Sequence, residues 1–420
     1  MTKNIKSATI FLMNTFTIET QKMTFGGECI AKLDGKNIFI PFALPKETLE
    51  VAITEDKGDY AKAKIVSILK PSPYRREAPC SLYGLCGGCN MMHITDEEQV
   101  NIRKQVLKDA FEREGIKVPE IVAISASPFA YRSRFQLHDG GLKQKESNNI
   151  IPISTCPIAT NEINTYLTSN AQKAKGRVHI FGDSRVTSPS SHFLEAKEIS
   201  RAKAETRIMG KPNKKIKRKE NVHFSGSIIN PENICTVNIA GKQITFDVQG
   251  FFQSNLEVLE KTIEKVCCNM GGQRVLDMYS GCGTFSVFLA DIFKDVTLVE
   301  HNRDALVFAE QNMAGKQHTS YGMSGEKFVQ SQARSLLDTY GQFDAVVIDP
   351  PRSGMEKAVC DWLCREKTYQ IRAVSCDPAT QARDIAKLVK AGYTLSRLYL
   401  LDFYPQTCHI ESLACLENNA

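Results

Sequence analysis

Residues 275–286 read "VLDMYSGCGTFS": an apolar run, a turn holding two glycines, and a segment that can open a helix. The same texture recurs downstream. The runs "VTLVE" (296–300), "DAVVID" (344–349) and "RAVSC" (372–376) alternate with helix-like segments. Such βαβ alternation predicts a parallel, doubly wound sheet, an α/β fold of the Rossmann-like kind. Ligands of these sheets sit beyond the carboxyl ends of the strands. Asp277, Glu300, Asp349 and Cys376 all fall there.

Upstream the texture differs. "GGECIAKLDGKNIFIPFALPKETLEVAITE" (26–55) alternates apolar and polar residues around an Asp34-Gly35 turn signal, and "AKAKIVSIL" (61–69) continues it. Several short strands in so little chain predict a small OB-like β-barrel. Between barrel and sheet the sequence is irregular. It holds a cysteine cluster, a helix-like run from Asp96, expected to be its cap, to Gly115, and a basic tract. The expected division is a barrel over 1–70, a central region over 71–240 and the α/β domain over 241–420.

The chain has 420 residues, 42% hydrophobic and 24% charged, the composition of an ordinary globular protein. The first thirty residues show no charged-then-apolar leader, and Ile10–Met13 is too short an apolar run for a membrane span. A cytoplasmic protein without membrane attachment is expected. In that compartment fourteen cysteines serve as buried thiols, metal ligands or catalytic groups rather than disulfides. The net charge of +6 is mild, but Arg201–Lys219 carries nine Lys or Arg against one acid, Glu205. That tract reads either as a solvated loop or as a contact to phosphates, with Arg132 and Arg134 adding to the second reading.

Gly281 and Gly283 are expected to let a ligand approach the backbone closely. Glu300 ends the next strand, where a carboxylate can accept both hydroxyls of a ribose. Residue 286 is Ser, so no G-x-G-x-x-G is present. This disfavours a dinucleotide and favours S-adenosylmethionine, which has no pyrophosphate to cradle. In "VVIDPPRSG" (346–354), Asp349 ends an apolar strand and two prolines stiffen the loop after it. Enzymes that methylate exocyclic amines usually place an aromatic residue after these prolines. Here it is Arg352.

Cys376 follows a strand and precedes Asp377-Pro378, a good N-cap and first helical residue. A helix N-terminus favours a thiolate. Carbon 5 of a pyrimidine is a poor nucleophile, and thiolate addition at carbon 6 turns it into an enolate that can take a methyl group. A base must then remove the carbon 5 proton. Glu411, in the strand-like "QTCHIESLACL" (406–416), is a candidate base or a surface residue. Cys408 in the same run is a rival nucleophile without a helix start.

With "FFQSN", "DMYSGCGTFS", "DPPRSG", "SCDPAT" and "HIES" in this order, residues 250–415 resemble the RNA uracil-5-methyltransferase family. The resemblance implies S-adenosylmethionine contacts at Gln253, Tyr279, Glu300 and Asp349, Cys376 as nucleophile and Glu411 as base. The stretch 325–335, where adenine contacts are expected, matches poorly. The N-terminal segment resembles the TRAM domain, an RNA-binding barrel. Cys80, Cys86 and Cys89, with Cys156-Pro157, read as a metal site, and one Cys-x-x-Cys pair plus two lone cysteines fits a zinc ribbon poorly. The family's ribosomal members carry a [4Fe-4S] cluster at this spacing. The expected function is methylation of carbon 5 of a uridine in RNA, 23S rRNA ahead of tRNA, by a monomer. RNA cytosine-5 methylation and a non-catalytic, cluster-bearing RNA-binding protein are the rivals.

Overall fold

A computed structural model of the protein describes residues 15–169, 174–188, 193–197 and 231–418. The basic tract at 201–219 lies outside them. The chain divides into two compact units. The first runs to Tyr83 and adds Cys89–Val106 and Gln406–His409; the second holds Gly84–Gly88, Leu107–Pro405 and the residues from Ile410 onward.

The first unit is built on five strands, β1 (Thr15–Met23), β2 (Glu28–Leu33), β3 (Lys36–Pro41), β4 (Thr48–Asp56) and β5 (Tyr60–Lys70). They close into a barrel in the order β1-β2-β3-β5-β4. The alternating residues Ile38 and Ile40, Leu49 and Val51, Ala61 and Ala63 point inward and form its core. Asp34 and Gly35 take φ of 49° and 81°, the doubly positive turn that matches strand twist in the β2–β3 hairpin.

One buried ion pair staples this unit. Glu47 is fully buried and receives the Arg75 fork, Nε at 2.6 Å and Nη2 at 2.7 Å. The backbone N–H groups of Leu44 (2.8 Å) and Ser72 (3.1 Å) also donate to it. Burial alone would raise its pKa, but these donors outweigh burial and hold the carboxyl below its usual range. The helix Asp96–Arg113 corrects one expectation. Asp96 lies inside the helix, and its carboxylate takes Arg76 (2.6 and 3.0 Å) and Gln406 (2.7 Å) instead of capping.

The second unit carries β6 (Ile121–Ile124), β7 (Arg134–His138), β8 (Gly141–Lys143), β9 (Ile150–Pro152), β10 (Arg177–Gly182), β11 (Val186–Ser188), β12 (Phe193–Lys197), β13 (Ile234–Ile239) and β14 (Lys242–Asp247). Then come β15 (Gly272–Met278), β16 (Phe293–Val299), β17 (His318–Tyr321), β18 (Ala345–Ile348), β19 (Gln370–Ser375), β20 (Tyr393–Leu401) and β21 (Glu411–Asn418). Much of the stretch that reads as irregular is ordered as antiparallel sheet, β12-β10-β7-β8-β9 and β11-β13-β14. Its strands are three to six residues long, too short for alternation to stand out.

The large sheet has the order β17-β16-β15-β18-β19-β21-β20-β6. Strands β15 to β19 are mutually parallel, as the βαβ reading predicts. β21 runs antiparallel between β19 and β20, so it occupies an inner slot. That is why its run Glu411–Leu416 is buried without a break. No described helix is long and apolar enough to cross a membrane.

Arg75→Ala strands the Glu47 carboxylate in the barrel interior. The expected loss is about 3–5 kcal/mol of stability, read by chemical denaturation at neutral pH. Because the folded-state pKa of Glu47 is depressed, its contribution is present above the unfolded value of 4.5 and fades as pH falls below it. The penalty of the variant should shrink under acid.

Candidate active site

Asp277, Glu300, Asp349 and Cys376 fall at or beside the carboxyl ends of β15, β16, β18 and β19. β15 stops at Met278, and Tyr279 takes φ of 65°, turning the chain out of the sheet. Gly281 follows at φ 57°, and a Cβ there would meet nothing within 4 Å. This glycine leaves room beside the turn. Gly283 does not: its Cβ would stand 3.2 Å from Ala309 Cα, so it serves helix packing, correcting the expectation that both glycines admit a ligand.

Glu300 follows β16 and is buried. It accepts the backbone N–H of Gly281 at 2.9 Å on Oε2 and of Asn302 at 2.6 Å on Oε1, and the exposed His301 Nδ1 lies 3.1 Å from Oε1. Asp277 is wholly buried. Its Oδ2 accepts the Ser286 hydroxyl at 2.5 Å, and its Oδ1 has no hydrogen-bond partner. Burial and the nearby Asp349 push Asp277 up to about 7 against the pull of Ser286; burial and Glu300 push Asp349 up to about 7. Gln253 Oε1 is a second buried acceptor without a partner. Unpaired acceptors and crowded carboxylates suit a cationic, donor-rich ligand with ribose hydroxyls. Tyr279 donates its hydroxyl to Glu356 Oε2 at 3.1 Å, and Glu356 also accepts the Glu326 N–H at 2.8 Å.

Cys376 and Glu411 come together by strand register. Ser375, the last residue of β19, pairs with Ser412 of β21, so the next step along each antiparallel strand sets Cys376 opposite Glu411. Burial and the charge of Asp349 push Glu411 up to about 8, with Arg352 opposing. Cys376 is half-buried, and burial, Glu411 and Asp349 raise its pKa, while Arg352 lowers it through charge and a hydrogen bond. The helix Pro378–Lys390 does begin here, but the carboxylate of its N-cap Asp377 accepts the first N–H groups, Ala379 at 3.0 Å and Thr380 at 2.9 Å. The expected thiolate is therefore not the resting form. Arg352, not the helix end, is the cation at the sulfur.

The Arg352 loop is held from below. Asp384, buried in the same helix, accepts the Met355 N–H at 2.8 Å, and Arg383 donates to Ser353 O at 3.1 Å. Thr380 donates to Arg352 O at 3.2 Å. Gly354 lies at φ 81°, and a Cβ on it would come within 2.5 Å of Asp384 Oδ2 and Arg383 Nη2.

Comparison with known proteins bears on this site directly. The model of tRNA (uracil-5-)-methyltransferases matches residues 217–419, and the TRAM domain matches 15–66. An RNA methyltransferase of Treponema denticola, itself uncharacterized, is 35% identical, with 96% of this chain and 99% of that one covered. The chain belongs to the RNA uracil-5-methyltransferase family. Its activity is transfer of a methyl group from S-adenosylmethionine to carbon 5 of a uracil in RNA. The 23S rRNA (uracil(1939)-C(5))-methyltransferase RlmD of Shewanella amazonensis is 29% identical, with 97% and 96% covered. The fold is that of the Pyrococcus abyssi tRNA (uracil-54, C5)-methyltransferase solved with S-adenosyl-L-homocysteine (TM-score 0.68, 22% identity, 96% and 100% covered).

Other candidates of this methyltransferase fall elsewhere. Cys408 belongs to the barrel unit, where its thiol accepts Asn90 Nδ2 at 3.1 Å and its N–H donates to Asn90 Oδ1 at 2.9 Å. Arg132 and Arg134 are half-buried rather than splayed toward solvent. Arg132 donates to Arg134 O at 3.1 Å and lies 5.3 Å from the Phe135 ring centre, and Arg134 reaches Val248 O and Gln249 O at 3.4 Å. Cys80 and Cys89 fall in the first unit, Cys86 and Cys156 in the second. Among the described residues no group of three or more His, Cys, Asp or Glu is placed to hold a metal ion.

Gly354→Ala in the methyltransferase should displace Arg352 while leaving the cofactor cleft intact. The expected result is a fall in methylation rate of at least about tenfold with little change in S-adenosylmethionine affinity, measured by tritium transfer and calorimetry.

Proposed function

We propose that the enzyme methylates a uridine of 23S rRNA through a covalent intermediate, with Cys376 as nucleophile and Glu411 as base. The observation that carries this is the register pairing that faces a thiol with a carboxyl of raised pKa, beside the Arg352 guanidinium. The bound cofactor supplies an electrophilic methyl group on sulfonium. Gln253, Tyr279, Glu300 and Asp349 are proposed to hold it: Glu300 at the ribose hydroxyls, Asp349 and Gln253 at the donors on its cationic end.

The chemistry follows from charge. Cys376 must lose its proton to add to carbon 6, and Arg352 is the cation that stabilises the thiolate as it forms. Glu411 then takes the proton from carbon 5, which restores the double bond and releases the thiol. A carboxyl with a pKa near 8 is a stronger base than an ordinary one and pulls that proton more effectively once ionised. Methyl transfer is electron-neutral, so no step needs the four cysteines. The target uracil must be unstacked to reach the cleft, which favours a loop uridine.

The choice of 23S rRNA is supported by RlmD-named relatives that align along nearly the whole chain and by the TRAM barrel at its start. Transfer RNA and RNA cytosine remain the outcomes against which it is tested. Nucleoside mass analysis of fractionated RNA from a deletion strain should show 5-methyluridine lost from 23S rRNA; loss from tRNA, or of 5-methylcytidine, would sink the assignment.

Cys376→Ala is expected to abolish methylation. Glu411→Gln should instead accumulate a protein–RNA adduct that survives a denaturing gel, and its absence would remove Glu411 as base. Activity requires the ionised carboxylate, so the rate should climb as pH rises through about 8. Arg352 lowers the pKa of both Glu411 and Cys376, so Arg352→Gln should move that rise to higher pH.

A further inference from the structure

Glu411 is the first residue of β21, and Cys376 stands one residue past the end of β19. Both groups sit where the hydrogen-bonded ladder stops. The last pair between their strands is Ser375 with Ser412, and the last between β21 and β20 is Glu411 with Leu401. Strand ends open at lower free energy than strand centres. A displacement of about 1 Å in a catalytic group can cost on the order of 100-fold in rate. The end of this ladder therefore needs a tie beyond the sheet itself.

The side chain of Gln381 reaches both strands at this end. It belongs to the first turn of the helix Pro378–Lys390, where its own N–H donates to Asp377 O at 3.1 Å. Its Nε2 donates to Ala373 O of β19 at 2.9 Å, and its Oε1 accepts the Ser412 hydroxyl of β21 at 2.6 Å. The main-chain carbonyl can only accept, so the amide has one orientation and the serine must donate. Gln381 and Ser412 are both buried. A buried amide costs free energy unless it is bonded, and here both of its ends are. Successive strand residues face opposite ways, so the helix grips Ser412 and leaves the Glu411 carboxyl untouched. The geometry points to Gln381 as a positioning residue of the methyl transfer, one that holds Ser412 and through it the main chain from which Glu411 projects. The inference rests on the reading of Glu411 as base.

The step that depends on this grip is the last one. The Glu411 carboxylate takes the carbon 5 proton, the C5–H pair becomes the C5–C6 double bond, and the C6–S pair leaves on the Cys376 sulfur. Proton transfer of this kind requires the base within hydrogen-bond reach of the proton it removes. Thiol addition and methyl transfer come earlier and do not use the carboxylate. The nucleophile's strand also keeps a separate tie at this end, for the Ser375 hydroxyl accepts the Asp377 N–H at 3.2 Å. Loss of the Gln381–Ser412 bond therefore slows release of the adduct and spares its formation.

The test separates the two phases in single turnover on denaturing gels, with the full-length wild type, Ser412→Ala, Gln381→Met and the double variant. 23S rRNA transcripts carrying 5-fluorouridine report adduct formation alone, because fluorine cannot leave as a proton. Ordinary transcripts report release. Ser412→Ala removes a single oxygen and Gln381→Met keeps the side chain's length, and calorimetric binding of S-adenosylmethionine verifies that each variant is folded. The expected result is adduct formation at the wild-type rate, unchanged cofactor affinity, and release slowed roughly 10- to 100-fold in both single variants. The two substitutions remove one shared bond, so the double variant should release no more slowly than the slower single one. Release at the wild-type rate in Ser412→Ala overturns the inference, and so does equal slowing of formation and release, which a merely structural role would give. Glu411→Gln run alongside keeps the two readings apart: if it holds no adduct on ordinary RNA, the assignment of the base fails, whatever the Ser412 and Gln381 variants do.

Discussion

Two acidic groups forced together by strand pairing govern this active site. Cys376 and Glu411 face each other because Ser375 and Ser412 are paired, and the sheet offers them no other separation. Asp349 adds a third acidic group, and the surroundings are buried, so each group resists ionisation. The arrangement is costly at rest and useful in turnover. It holds the thiol pKa up and, in the proposed mechanism, makes the Glu411 carboxylate a stronger base than an ordinary one. Arg352 is the counterweight that sets how far the balance tips.

The supporting structure is organised around keeping that counterweight in place. The Asp-Pro-Pro-Arg loop is stiffened by its prolines and tied to the helix Pro378–Lys390 through Thr380, Arg383 and Asp384. The same helix is tied to the sheet by Gln381, which donates to Ala373 O at 2.9 Å and accepts the Ser412 hydroxyl at 2.6 Å. One helix therefore begins two residues after Cys376, the proposed nucleophile, and is tied to the strand bearing Glu411, the proposed base, and to the loop bearing Arg352. Gly354 permits this because the space its side chain would occupy belongs to Asp384 and Arg383.

The sequence made the fold legible where periodicity was long and the chemistry lay at strand ends. The parallel strands, the barrel hairpin at Asp34-Gly35 and the placement of Asp277, Glu300, Asp349 and Cys376 all follow from local patterns. What stayed hidden depends on partners far apart in the chain. Glu356 and Asp384 look like ordinary helix residues, yet one joins Tyr279 to Glu326 and the other anchors Met355. Three-residue strands such as β8 and β9 are too short to show a period. A helix N-terminus suggested a thiolate at Cys376, but burial, Glu411 and Asp349 raise its pKa.

The inner slot of β21 also constrains how the protein is made. β20 is synthesised first yet cannot join β19, since the place between them is reserved for residues that emerge later. Until Glu411–Asn418 arrives, both strands present bare hydrogen-bonding edges to the surroundings. Nascent or truncated molecules thus carry a sticky seam at the future catalytic centre, one that chaperones would be drawn to shield. Filling the seam closes those edges and sets Glu411 opposite Cys376 in the same event.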